Sequence, residues 1–357
     1  MSTTVTATQS TSDTAPSSTG TISVQAGDGY KYSHLLPAFP RDEHYPPLTP
    51  FDHVDPGLRA LKLPNPRAFL ANAKTTQLTP PIGEEVRGVN LATLSDSEKD
   101  QLALEVARRG VVVFRDQQDF IDRPPEFYLE WGKPTSARNR PLLTRYLAGR
   151  YFGRLHIHPT SGHPQGLPEL HLVYRDEAST FNYELSDHTI ATTWHSDVSY
   201  ERQPPGLTAL FLLASPDTGG DTIFASQVTT LKRLSPDFVA FLRTLKAVHS
   251  GFEQAEFSRS GKRGGVVRRD PVEHVHPVVR RHPVTGEEAL YVNRQFTRRI
   301  VGFKKEESDA ILNFLYDHID RSIDSQVRAR WEPNTVVLWD NRVTAHVSRC
   351  IEFIRAA

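Results

Sequence analysis

The chain has 357 residues, 38% of them hydrophobic and 24% charged, with 42 basic and 42 acidic side chains. A formal charge of zero excludes the global basic bias of a nucleic-acid binder and the acidic bias of a solvating tail. The single cysteine, Cys350, excludes an intrachain disulfide, and no apolar run is long enough to span a membrane.

Residues 1–28 form a Ser/Thr-rich tail that cannot bury enough apolar surface to offset its ordering entropy, so disorder is expected. The tail lacks the basic and apolar regions of a secretory signal and has no Arg before Arg41, which points to the cytoplasm. Residues 29–77 are Pro-rich, with Leu35, Leu36, Phe39, Tyr45 and Phe51 set between prolines, and read as an extended arm wrapped on a domain spanning 78–357. Ser95 and Glu98 have capping-box spacing, and Leu102 and Val106 follow on one helical face up to Gly110. Val111 to Phe114 reads as a buried strand, and a helix begins at Pro124. Further helices are expected over 236–245, after Ser235, and over 306–321, where Ile311, Leu312, Leu315 and Ile319 align. Short apolar strands are expected at 207–214, 222–225, 288–293 and 335–339. Many short strands with a few helices predict a mostly β double-sheet jelly roll with flanking helices.

Two stretches carry the chemistry. In Trp194-His195-Ser196-Asp197-Val198, a strand or strand end would turn His195 and Asp197 to one side. An apolar run from Thr335 to Trp339 then delivers a polar turn and His346. Two His and one carboxylate with open positions are the facial ligand set of non-haem Fe(II) oxygenases. An H-x-D on its own is common in turns and surfaces, and His346 could simply pack after a strand. Thr222 follows a Gly-Gly-Asp turn and could donate to a carboxylate or merely fill a strand. His156 and His158 fall on one face, which could make a metal pair.

The motifs WHSDVSYERQPPG, GGDTIFAS, LHIHP, LYVNRQFTRRI and LWDNRVTAH, in this order, resemble the taurine/2-oxoglutarate dioxygenase (TauD/TfdA) family over about residues 78 to 346. The spacing also fits: 27 residues separate His195 from Thr222, and 151 separate His195 from His346. The resemblance implies a double-stranded β-helix jelly roll of the Fe(II)/2-oxoglutarate dioxygenase type. It implies Fe(II) on His195, Asp197 and His346, with 2-oxoglutarate and O2 as cosubstrates and Thr222 on the distal carboxylate of 2-oxoglutarate. It places His158 against a substrate sulfonate, with Phe252 and Phe296 lining that pocket, although both aromatics could equally be core residues. The implied activity is oxidation of a small acid, a taurine-like alkyl sulfonate, giving sulfite and an aldehyde. The implied partner is a small-molecule substrate, with no nucleic acid and no membrane; a homo-oligomer stays open. Ser161 and Ala191 stand where taurine dioxygenase has Tyr and Asn, which leaves room for a sulfate ester, a carboxylic acid or a secondary metabolite.

Two departures stand out. The family carries an Arg about ten residues after the distal His, where a bidentate pair orients 2-oxoglutarate. Here Arg349 and Arg355 follow His346 in a different context, so the last strand is expected to be missing and a truncated, non-catalytic member stays open. Segment 133–149 interrupts an otherwise continuous family segment, with four basic residues and no acidic one. Gly132-Lys133 is encodable by GGT AAG and Val347-Ser348 by GTA AGT, each containing a splice-donor consensus. Retained introns at 133–149 and 347–357 are therefore expected, with a genuine surface loop and short tail as the alternative.

Overall fold

The computed structural model describes residues 21–23, 30–131, 151–173, 193–214, 219–261 and 265–348. The expectations for most of the Ser/Thr-rich tail, for the 133–149 segment and for a missing last strand fall outside these residues.

A five-stranded sheet holds, in spatial order, Lys74–Thr79, Ile82–Arg87, Val111–Phe114, Val336–Asp340 and Leu207–Phe211. Val111–Phe114 and the run Val336 to Trp339 are apolar at every position because both faces are covered. Val111, Val113, Val337 and Trp339 turn inward onto Phe224, Val327 and Ala329 of a three-stranded sheet. That sheet is built from Gln326–Ala329, Thr222–Ser226 and Thr344–Ser348. The alternate residues Val112, Phe114, Val336 and Leu338 turn outward onto Leu102 and Val106. The two sheets thus form the jelly-roll sandwich that the strand pattern predicts, with a helix over one outer face.

That helix, Asp96–Arg109, starts where its cap dictates. Ser95 N–H donates to Glu98 Oε2 at 2.8 Å, and Glu98 N–H donates back to Ser95 Oγ at 3.3 Å. It ends at Gly110, whose φ of +71° suits glycine, and a Cβ there would lie 3.2 Å from Thr344 Cγ2. The helix Lys305–Arg321 lays Leu312, Leu315 and Ile319 against Ala225, Ala247 and Ile300 in a second core. The helix at Pro236–Arg243 forms with Ser235 at its N-cap position, but the Ser235 side chain makes no capping bond.

A second three-stranded sheet, Thr297–Ile300, Lys246–Ser250 and Glu273–Pro277, has no strong sequence signal. Its segments carry polar residues in the interior, such as His249 and His276, which are satisfied by hydrogen bonds rather than by apolar contact. The Pro-rich arm is fastened by apolar packing, with Ala60 against Leu104 and Ala107 and Leu70 in the core of Leu102 and Val106, and by polar groups. The backbones of Ala38 and His163 bridge, while Glu43 accepts from His163 at 2.8 Å and pairs with buried Arg268 at 3.1 Å. Asp55 takes Arg342 at 2.6 Å. Lys74–Thr79, placed with the arm by composition, is the edge strand paired to Ile82–Arg87. Among the described residues, no helix is long and apolar enough to cross a membrane.

Candidate active site

The site is set by one backbone bridge. His195 N–H donates to the His346 carbonyl at 3.0 Å, and His346 N–H donates to the His195 carbonyl at 2.8 Å. Such a doubly bonded antiparallel pair sends both side chains to the same face. The imidazole centroids are 4.2 Å apart at 48°. Asp197 arrives by a turn rather than along a strand: the chain bends after Ser196, and Val198 takes a φ of +40°. A β-branched residue at positive φ is strained, and at this site the strain accompanies the delivery of a carboxylate. Asp197 Oδ1 then lies 3.7 Å from His195 Nε2 and 3.6 Å from His346 Nε2. One donor atom from each of the three residues falls within 4.8 Å of the others.

The protonation states suit a cation. The Nδ1–H of His195 donates to the Thr193 carbonyl at 3.0 Å, which leaves the Nε2 lone pair facing Asp197. Burial, reinforced by His195, holds His346 well below the ordinary histidine range and therefore neutral. Burial pushes the Asp197 carboxyl up, against the pull of His195, His171 and His156. The carboxylate oxygen faces both imidazole nitrogens, and a divalent ion would match all three donors. Two imidazole nitrogens and one carboxylate oxygen are a donor set suited to Fe(II), so these residues fit the metal.

Asn341 holds this arrangement from below. It is fully buried; its Oδ1 accepts from Asp197 N–H at 2.6 Å, and its Nδ2 donates to the carbonyls of Asp197 at 3.0 Å and Pro205 at 3.2 Å. Ser196 Oγ donates to the Thr344 carbonyl at 2.8 Å, tying the same turn to the His346 strand. One residue earlier, buried Asp340 takes His282 at 2.9 Å and Arg342, which reaches on to Asp55 of the arm. Burial opposes the charge of Asp340, but Arg342 and His282 outweigh it and hold the carboxyl well below the usual range.

A model of the family described as taurine catabolism dioxygenase TauD, TfdA family matches residues 74–353. The chain belongs to this family. As a TauD/TfdA member it is an Fe(II)- and 2-oxoglutarate-dependent dioxygenase, using O2 as the second cosubstrate. It is 45% identical over 320 residues to an alpha-ketoglutarate-dependent sulfonate dioxygenase of Saccharomyces cerevisiae, covering 88% of this chain and 73% of that one. It is 39% identical over 319 residues to alpha-ketoglutarate-dependent dioxygenase cnsP of Penicillium expansum, covering 88% and 80%. A crystal structure of a taurine dioxygenase from Burkholderia xenovorans superposes with a TM-score of 0.52 at 29% identity, covering 77% and 82%.

In this dioxygenase the structure brings His195, Asp197 and His346 together and sets Phe296 beside His195. Thr222 is buried and faces Ser348 across the ladder, two positions along from the Phe224–His346 pair, so it shares the sheet face of His346. Phe296 is buried, with its ring 6.3 Å from His195 and 5.0 Å from Tyr200. His158 accepts at Nδ1 from the N–H groups of Thr160 (3.2 Å) and Ser161 (3.1 Å). Its proton therefore sits on Nε2, making that atom a donor, and its ring stacks on His171 at 4.5 Å. Phe252 is not brought into this group. It is half exposed at the start of the helix Phe252–Arg259, whose buried residues are Ala255 and Ser258. Ala191 lies outside the described residues.

Sequence reasoning missed Asn341, His171 and the role of His156. Asn341 is visible in the LWDNRVTAH motif, but only its hydrogen bonds reveal what it holds. His156 and His171 both act on Asp197 from 41 and 26 residues upstream, a proximity with no periodic signal.

Proposed function

We propose that this dioxygenase oxidises a small alkyl sulfonate, with His195, Asp197 and His346 holding Fe(II). The support is the convergence of the three donor atoms on one point, together with 45% identity to a relative named as a sulfonate dioxygenase. Bound Fe(II) would activate O2 and couple decarboxylation of 2-oxoglutarate, to succinate and CO2, to hydroxylation of the carbon bearing sulfur. The hydroxylated carbon then releases sulfite and becomes an aldehyde, so one O2 and one 2-oxoglutarate are consumed per sulfonate.

The chain's own groups do the positioning. The Thr222 hydroxyl donates to the distal carboxylate of 2-oxoglutarate. The His158 Nε2–H, fixed by two backbone amides, donates to a sulfonate oxygen. Phe296 closes the apolar side of the pocket beside His195 and helps to exclude water. The same reading keeps 1–28 as a tail, 29–77 as an arm and the catalytic body from 78 onward, working in the cytoplasm.

A second reading keeps the chemistry and changes the substrate to a sulfate ester, a carboxylic acid or a secondary metabolite. It is favoured by Ser161, which is small where taurine dioxygenase has Tyr. Succinate and sulfite measured side by side over a panel of sulfonates, sulfate esters and carboxylic acids separate the two. Succinate without sulfite across all sulfonates would discard the first reading.

A further inference from the structure

Between the arm and the body lies a cavity of about 260 Å³, apart from the converging triad. Its charge is one-sided. Arg154, Arg202, Arg280 and Arg342 line it, and Asp55 is its only carboxylate among the described residues. Asp55 is already spent on Arg342, which Asp340 also neutralises. Arg154, Arg202 and Arg280 have no ion-pair partner among the described residues, so three guanidinium charges face one small space. Like charges gathered on one lining repel, and an anion relieves that repulsion.

Two of the three are also held in place. Arg154 donates to the Thr49 carbonyl at 2.9 Å and lies over the Phe51 ring at 4.6 Å, so the arm fixes it. Arg280 lies over the Tyr291 ring at 4.3 Å and is partly buried. Guanidinium forks match the planar carboxylate and the tetrahedral phosphate, and they bind both bidentately when preorganised. Phe152, Leu155 and Leu207 add apolar lining, and the volume suits a molecule of about a dozen heavy atoms.

We propose that this cavity is an anion site, distinct from the metal triad, that takes a small organic molecule carrying two or more carboxylate or phosphate groups. His156 borders it and also faces Glu201 at 3.4 Å.

The test is calorimetric titration of the full chain with inorganic phosphate and, separately, with tricarballylate. It is done anaerobically with Fe(II) and 2-oxoglutarate saturating, after iron binding has been measured, so that the triad site is already filled. The proposal expects saturable one-site binding of at least one probe. That binding should weaken at least tenfold in Arg202→Gln and in Arg280→Gln and stay within twofold in His158→Gln. Preference for phosphate assigns a phosphorylated ligand, and preference for tricarballylate assigns a polycarboxylate. Arg202 is exposed, so its variant reports on the site even if Arg280→Gln fails to fold. No saturable binding of either probe, binding unchanged in Arg202→Gln, or binding abolished by His158→Gln would overturn the proposal.

Discussion

Replacing Asn341 with Ala tests whether the triad depends on the turn that carries Asp197. The substitution deletes one acceptor and one NH2 group from a fully buried position. It strands the Asp197 N–H and removes donors from the carbonyls of Asp197 and Pro205. Each buried group left unpaired costs about 1–3 kcal/mol, so the apoprotein should lose about 2–5 kcal/mol, less if water enters. The effect on metal is separate. The Asp197 carboxylate is aimed by a turn strained at Val198, and the Asn341 bridge restrains that turn. Supporting contacts of this kind typically change metal affinity by about 10- to 100-fold. The assay is metal binding to the folded variant, with Co(II) as an air-stable probe followed by its visible spectrum, beside urea unfolding of the apoprotein. Asn341→Asp supplies a second reading: it keeps the acceptor for Asp197 N–H but opposes a carboxylate oxygen to two carbonyls, so it should also lose affinity. Co(II) affinity within twofold of wild type in both folded variants would refute the positioning role.

Other expectations follow from the scaffold. Burial, with Glu84 next, pushes the Glu105 carboxyl up to about 7 despite Arg67. Its ionised form is disfavoured in the fold, so the penalty is absent below about pH 4.5 and complete above about pH 7. Glu105→Gln should therefore gain about 1–3 kcal/mol over wild type at pH 8 and little at pH 4.5; a difference independent of pH in thermal melts would contradict this. Arg342→Met removes the guanidinium shared by Asp340 and Asp55, leaving Asp340 with His282 alone and Asp55 with no cation, and should cost about 3–5 kcal/mol, with faster proteolysis of the 41–56 arm as the specific readout. Leu338→Ala opens a cavity at the centre of the five-stranded sheet and should cost about 2–5 kcal/mol by urea unfolding, with metal binding retained in the folded fraction.

Much of the molecule is legible in the sequence where one local force dominates. The Ser95–Glu98 box and Gly110 delimit a helix, and the unbroken apolar runs at 111–114 and 336–339 mark strands covered on both faces. His195, Asp197 and His346 are found because the ordered family motifs surround them; an H-x-D and a lone His carry little by themselves. What stays hidden depends on long-range pairing. The strand Glu273–Pro277 is exposed at alternate positions and buries His276, so its composition reads as a loop. Phe252 and Phe296 have the same sequence signal, yet the helix Phe252–Arg259 points one outward while Asn293 and Thr297 hold the loop that buries the other. The turn at Asp197 is set by Asn341, 144 residues away, and no local pattern reports such a contact.

The central claim is that this triad runs 2-oxoglutarate-dependent oxidation of a sulfonate. The most direct measurement is sulfite and succinate released together from purified protein with Fe(II), ascorbate, O2 and 2-oxoglutarate, over a series of alkyl sulfonates. Equal amounts of both products, lost together in Asp197→Ala, are the predicted result. Sulfite and succinate formation undiminished in Asp197→Ala would contradict it.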